Sequence, residues 1–256
     1  MPGLSLQVLS FAAGVALALA GPAEALVYCV TNAVDVHITA PTGALADSGW
    51  RETVEVDRFL GTVIFTNALL TAKHILEIDV GTTFVCEGAT HTVTSKSGDP
   101  ASDLAVFFFT PGVTNVARIN IETNDVIAFV VLQGRGMERG EAVVTGGRTN
   151  GWMWAWDKWY GIRRWGVNRY FDSLQGDETY AVAAFDNNGD PDECTLSVGD
   201  SGGPGFIRTG SDWKLATVNS AVFPATFSVS TNPASAFDAA LFDCAGLYYD
   251  DGTAWQ

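Results

Sequence analysis

The sequence predicts an all-β protein, a sandwich or a pair of barrels, and three observations lead there. Short apolar and β-branched runs recur along the chain, Gly, Asn, Asp and Pro separate them, and no stretch sustains the 3.6-residue apolar repeat of a long helix. A sheet with one buried face needs such runs, because successive side chains alternate between its two faces.

In order, the runs are GTVIFT from Gly61, ALLTA from Ala68, TTFVC from Thr82, HTVTS from His91 and DLAVFFF from Asp103. A second set follows a crossing near residues 115–128: DVIAFVVL from Asp125, EAVVTGG from Glu141, YAVAAF from Tyr180, PGFI from Pro204 and LATVNSAVF from Leu215. Each set is the size of one small barrel. Thr149-Asn150-Gly151 and Asn187-Asn188-Gly189 have the composition of hairpin or loop tips. Ala234 to Phe242 is the best helical segment, and it is short.

The first 25 residues read as a secretory signal. An apolar run from Val8 to Ala20 leads to Ala23-Glu24-Ala25, a small-x-small cleavage pattern, although no basic residue precedes the run. Cleavage there leaves Leu26 to Gln256, and no later stretch is apolar enough to span a bilayer. The formal charge of −15, with 14 Lys+Arg against 29 Asp+Glu, argues against a nucleic-acid partner, since little here replaces counterions along a phosphate backbone. The four cysteines, Cys29, Cys86, Cys194 and Cys244, allow three pairings in an exported chain; Cys29–Cys86 with Cys194–Cys244 is the expectation. None is spaced as a zinc knuckle.

Two compositional features invite other readings. Trp152, Trp154, Trp156, Trp159 and Trp165 could form a sugar-stacking platform, the basis of an alternative in which the chain is a β-rich sugar-binding module, but a packed loop accounts for them more simply. Asp186 to Glu193 crowds oxygen ligands without EF-hand spacing and reads as a solvated loop, so no metal is expected.

The sharpest signal is Gly199-Asp200-Ser201-Gly202-Gly203-Pro204. Residues without a Cβ allow close backbone approach around a serine, and the N–H groups of Gly199 and Ser201 could converge on an oxyanion. Serine needs a base near neutrality, usually imidazole. His74 closes Leu69-Leu70-Thr71-Ala72-Lys73-His74, where an apolar strand gives way to a turn, whereas His37 and His91 read as structural. Asp103 opens an apolar run, so it is half-buried and needs a partner, and it could orient the ring. Asp99, in Gly98-Asp99-Pro100, suits a solvated turn.

The segments TAKH, SDLAVF and GDSGGP, in the order His, Asp, Ser, resemble the signatures of the trypsin/chymotrypsin-like serine proteases, over about Gly49 to Ser220. TAKH, GGRTNG and RRWGVN are similar to a bacterial secreted branch. The resemblance implies two six-stranded antiparallel β-barrels, residues 26–120 with His74 and Asp103 and residues 121–256 with Ser201. It implies an endopeptidase acting through an acyl-enzyme, without a cofactor, on peptide or protein substrates. A monomer free of nucleic acid and, once mature, of membrane is expected. Thr195 would lie near the floor of the specificity pocket, with Asn219, Ser220 and Ala221 along one wall; a neutral Thr195 disfavours Lys or Arg at P1. A non-catalytic binder of the same fold is the nearer alternative.

Two departures qualify the resemblance. Leu60 and Ile75 stand where members carry a disulfide around the histidine. No Ile-Val-Gly-Gly terminus is present to pair with Asp200, although cleavage after Ala25 would expose Leu26-Val27. Without that pairing Asp200 requires another partner, because a buried lone carboxylate is costly.

Overall fold

The computed structural model describes residues 26–29, 37–120, 128–156, 161–175, 179–187, 190–222, 226–250 and 255. Residues 1–25, where a signal is expected, Trp159 and Asn188-Gly189 lie outside them. The described residues are all β, without an α-helix. The strands are β1 Val27–Tyr28, β2 Thr53–Val56, β3 Phe59–Phe65, β4 Ala68–Ala72, β5 Thr83–Cys86, β6 Ala89–Gly98 and β7 Leu104–Thr110. After residues 121–127 come β8 Phe129–Gly134, β9 Glu138–Thr145, β10 Arg148–Ala155, β11 Arg164–Gln175, β12 Thr179–Ala183 and β13 Cys194–Thr195. The last are β14 Pro204–Thr209, β15 Asp212–Val218, β16 Thr226–Ser228, β17 Phe237–Leu241 and β18 Tyr248–Asp250.

Strands β2 to β7 form one six-stranded antiparallel sheet, ordered β2-β3-β4-β7-β6-β5, that curls until β2 approaches β5 and nearly closes a barrel. The alternation in DLAVFFF explains its interior. Ala105, Phe107 and Phe109 point inward and join Val63, Leu69, Phe84 and Val93 in one core. The other faces of these strands carry Ile64, Leu70 and Val106, which pack against Phe206, Leu215 and Trp213. That second cluster is the contact between the halves. The crossing segment is stitched to both, Ala117 N–H donating to Val63 O and Asn120 N–H to Leu215 O.

The second half is two five-stranded sheets, β12-β11-β8-β14-β15 and β18-β16-β17-β10-β9, instead of one continuous six-stranded ring. Together with the first barrel they are consistent with a chymotrypsin-like double barrel. The N-terminal segment does not stay with the first barrel: β1 pairs with β13, Val27 opposite Thr195 and Tyr28 opposite Cys194.

Several sequence expectations change here. Ala234–Phe242 is not helical; a 3-10 turn at Pro233–Ser235 leads into β17, which runs between β16 and β10. Ala240 packs into one apolar cluster while Ala239 and Leu241 pack into another, so both faces of the strand are covered. Pairing on both sides outweighs the high helical propensity of its alanines. Thr149-Asn150-Gly151 lies inside β10 at a bulge, not at a tip. Buried Asn150 donates to Asp243 O and Ala245 O, both at 3.1 Å, tying down the chain near the C-terminal strand.

The expected cysteine pairs are not formed, and all four cysteines are free. Cys86 is in the core of the first barrel. Cys194 shares the second half's core with Tyr28, and Cys29, just past the end of β1, packs in a different cluster. Cys29 Sγ donates to Asp186 O at 2.9 Å. Among the tryptophans, Trp154 and Trp165 are buried, Trp152 lies under the Arg139 guanidinium at 4.0 Å, and Trp156 is exposed. Packing leaves no row of open indoles among the described residues.

Gly49 shows how tightly the halves meet. It has φ +79°, and a Cβ there would fall within the Phe206 ring. Gly49→Ala is expected to cost about 1–3 kcal/mol of stability from overpacking and backbone strain, read by urea unfolding; an unchanged midpoint would show that Phe206 has room to move.

Candidate functional site

The ladder between β4 and β7 brings His74 and Asp103 together. Ala72 is opposite Leu104, so the residues just after β4 meet the residue just before β7. Lys73 N–H extends the ladder by donating to Asp103 O at 2.8 Å. The chain then tightens into a 3-10 turn, Lys73–Ile75, anchored by buried Ile75, and this packing stands where a disulfide was missed. The Asp103 carboxylate takes His74 N–H on Oδ1 at 2.9 Å and faces the ring Nδ1 with Oδ2 at 2.7 Å. Asp99 is elsewhere, capping its own turn by accepting from Ala101 N–H and Ser102 Oγ.

Ser201 comes from the other half. Its Oγ is 2.7 Å from His74 Nε2, completing an Asp103–His74–Ser201 line across the contact between the two halves. Ser220, also from the second half, donates its hydroxyl to Asp103 Oδ2 at 2.6 Å. Burial pushes the Asp103 carboxyl up, but the bonds from the His74 ring, Ser220 and the His74 amide outweigh it and the net shift is downward. A carboxylate so held fixes the tautomer that presents a bare Nε2 to the hydroxyl, the condition for that nitrogen to accept its proton.

The loop carrying Ser201 is organised by Asp200, which is 1% exposed. Its Oδ1 accepts from Arg135 N–H at 2.7 Å and Gly136 N–H at 2.6 Å. Its Oδ2 accepts from Ser197 N–H at 2.6 Å and Ser197 Oγ at 2.9 Å. These four neutral donors are the partner the sequence required, and Ser197 was not anticipated. The glycines follow from the same crowding. Gly202 has φ +79°, and a Cβ there would strike Thr71 Oγ1 and Leu60 O; one at Gly203 would strike Gln133 O. Gly199, with φ +95°, and Ser201 have N–H groups with no protein acceptor among the described residues.

The expected pocket wall divides into three roles. Asn219 turns inward, its Nδ2 donating to Gln133 O at 2.8 Å, while its backbone bonds to Gly202 and Gly203 dock this segment on the Ser201 loop. It is therefore a strut inside the fold. Ser220 reaches Asp103, and Ala221 is exposed at the surface. Thr195 is half-buried on β13, and its successors Leu196 and Val198 pack with Val222 in an apolar cluster. His37 and His91 are structural: His37 is stacked on Tyr28 and bonded to Asp192, and the ring nitrogens of His91 face Pro111 O and Cys86 O. No group of three His, Cys, Asp or Glu able to hold a metal occurs among the described residues.

No protein-family model matches the chain, and no curated protein matches it. Solved structures that resemble the chain include the following two. One is the Rv3671c protease in its inactive form, at 18% identity and a TM-score of 0.43, covering 79% of this chain and 92% of that one. The other is the passenger domain of the plasmid encoded toxin, an autotransporter enterotoxin from enteroaggregative Escherichia coli. It is 11% identical with a TM-score of 0.50, covering 78% of this chain and 22% of that one. The second likeness, at 11% identity, is one of fold alone.

Burial pushes the Asp200 carboxyl up to about 6 despite its four donors. An acid whose folded-state pKa is raised binds its proton more tightly folded than unfolded, where the value is near 3.9. Its contribution to stability is thus fully present below about pH 4 and is lost as pH rises through 6, about 3 kcal/mol in all. Carboxyl-carbon NMR is expected to place the Asp200 midpoint near 6; a midpoint under about 4 would mean that the donors outweigh burial.

Proposed function

We propose that the chain is an exported serine endopeptidase in which Ser201 is the nucleophile, His74 the general base and Asp103 the orienting carboxylate. The observation that carries this reading is the line of hydrogen bonds from Asp103 through His74 to Ser201, with both ring nitrogens engaged at 2.7 Å. Ser201 Oγ attacks the scissile carbonyl while His74 Nε2 takes its proton, and the oxygen that becomes negative is received by the free N–H groups of Gly199 and Ser201. The imidazolium then gives the proton to the departing amine, leaving an ester on Ser201 and a neutral ring. Water loses a proton to His74, attacks the ester and releases the acid, and Ser201 Oγ recovers the proton. None of these steps needs a metal or cofactor.

The substrate is a peptide or protein strand lying across the contact between the halves, with Ala221 on the open side and Thr195 toward the pocket. Residues 195–198 and 219–222 include no cationic or anionic side chain, and Leu196, Val198 and Val222 are apolar. Small or apolar P1 residues fit this composition better than Lys or Arg. The signal-like segment favours an exported enzyme acting outside the cytoplasm, and we take it to act as a monomer.

A fluorophosphonate probe reports an activated serine without a known substrate. Leu26–Gln256 is expected to label on Ser201, and Ser201→Ala and His74→Ala to abolish labelling. Asp103→Asn should slow it by about 10⁴-fold through the wrong ring tautomer. Folded protein that stays unlabelled would overturn the enzymatic reading.

In Ser220→Ala, Asp103 loses one donor but keeps both bonds to His74, so labelling should slow by only about tenfold, the cost of roughly one charge-assisted hydrogen bond. Loss as deep as that of Asp103→Asn would make Ser220 indispensable for holding the carboxylate.

A further inference from the structure

We propose that Arg135 is a positioning residue that holds the Ser201 loop in register with the barrel bearing His74, an inference that rests on the hydrolase reading above. Arg135 directly follows β8, in the second half, and its two ends serve different halves. Its backbone belongs to the nucleophile loop's support: Arg135 N–H and Gly136 N–H both donate to Asp200 Oδ1, and Met137 N–H donates to Val198 O at 2.7 Å. The approach is so close that a Cβ at Gly136 would lie 2.5 Å from Val198 O and 2.7 Å from Asp200 N. A shift of residues 135–136 therefore moves the loop with it.

The side chain of Arg135 leaves this half altogether. Nη1 donates to Asp57 O at 2.6 Å, and Nε faces Glu55 Oε2 at 3.2 Å. Both acceptors are on the β2–β3 hairpin of the first barrel. The same hairpin supplies Leu60 O, which accepts from Thr71 Oγ1 and sits where a Cβ on Gly202 would have to go. The Ser201 loop is thus held against the first barrel on its two flanks, through Gly202 on one side and through Arg135 on the other. A second arginine, Arg163, donates to Thr53 O and stacks on Trp50 at 3.9 Å, fastening the start of β2.

The exposure of the pair separates positioning from stability. The Arg135 side chain is 20% exposed and Glu55 45%, and an ion pair whose acid side is open to water adds little to folding. Its geometric effect is larger, because a displacement of about 1 Å between reacting groups costs on the order of 10²-fold in rate. The planar guanidinium reaches two acceptors at once, which a lysine ammonium does not reproduce in the same geometry.

The test is saturation kinetics of fluorophosphonate labelling, which separates probe affinity from the first-order rate of attack by Ser201. Arg135→Met is expected to lower the attack rate about tenfold, leaving probe affinity and the urea midpoint nearly unchanged. Arg135→Lys should recover part of the loss. Glu55→Gln, which disturbs the fold least, should lower the rate a few-fold and add nothing in the Arg135→Met background, where the tie to Glu55 is already gone. An attack rate within twofold of wild type in Arg135→Met, or losses in the double variant that multiply, would overturn the proposal while leaving Ser201 as nucleophile. Wild-type protein that never labels would overturn the hydrolase reading and this inference with it.

Discussion

The carboxylate of Asp200 is removed from water and held by four neutral donors, and much of the neighbouring chain is arranged to keep it so. Residues 134–136 must run close beneath it, which leaves no room for a Cβ at Gly134 or Gly136. Ser197 must present both its amide and its hydroxyl. With the carboxylate fixed between these donors, the next residue, Ser201, is delivered to one place, and the two glycines that follow it let the backbone pass Thr71, Leu60 and Gln133 at close quarters.

That place has meaning only because the first barrel arrives at the same point. Ile64, Leu70 and Val106 face outward from the barrel and are covered by Phe206, Leu215 and Trp213, so apolar burial sets the spacing of the halves. Polar contacts then set their register: Ser220 to Asp103, His74 to Ser201, and Arg135 to Asp57 O and Glu55. Burial without direction and hydrogen bonds with direction thus divide the work of building a site from two separate units.

Much of this was legible in the sequence, for a physical reason. Strand alternation in DLAVFFF, the glycine density of GDSGGP and the change from strand to turn at His74 are local features, each written within a few residues. Asp103 could be preferred to Asp99 because one opens an apolar run and the other sits in a turn, and the hydrogen bonds follow that division. What was not legible depends on contacts distant in sequence. Asn150 has the composition of a turn residue but is buried against residues 243–245. Ala239 and Ala240 are good helix formers placed between two strands. The cysteines look pairable by number and occupy different packing environments. The bond from Ser220 to Asp103 and the reach of Arg135 to β2 span so much chain that no local pattern records them.

The claim that the two halves together make one site for a tetrahedral intermediate is tested most directly by a crystal structure of Leu26–Gln256 soaked with a peptide boronic acid. The expected result is a tetrahedral boronate on Ser201 Oγ, one boronate oxygen accepting from the Gly199 and Ser201 amides, His74 still bonded to Asp103, and the peptide running beside Ala221. A crystal in which the boronate leaves Ser201 untouched, or bonds to it with its oxygen turned away from both amides, would contradict the account.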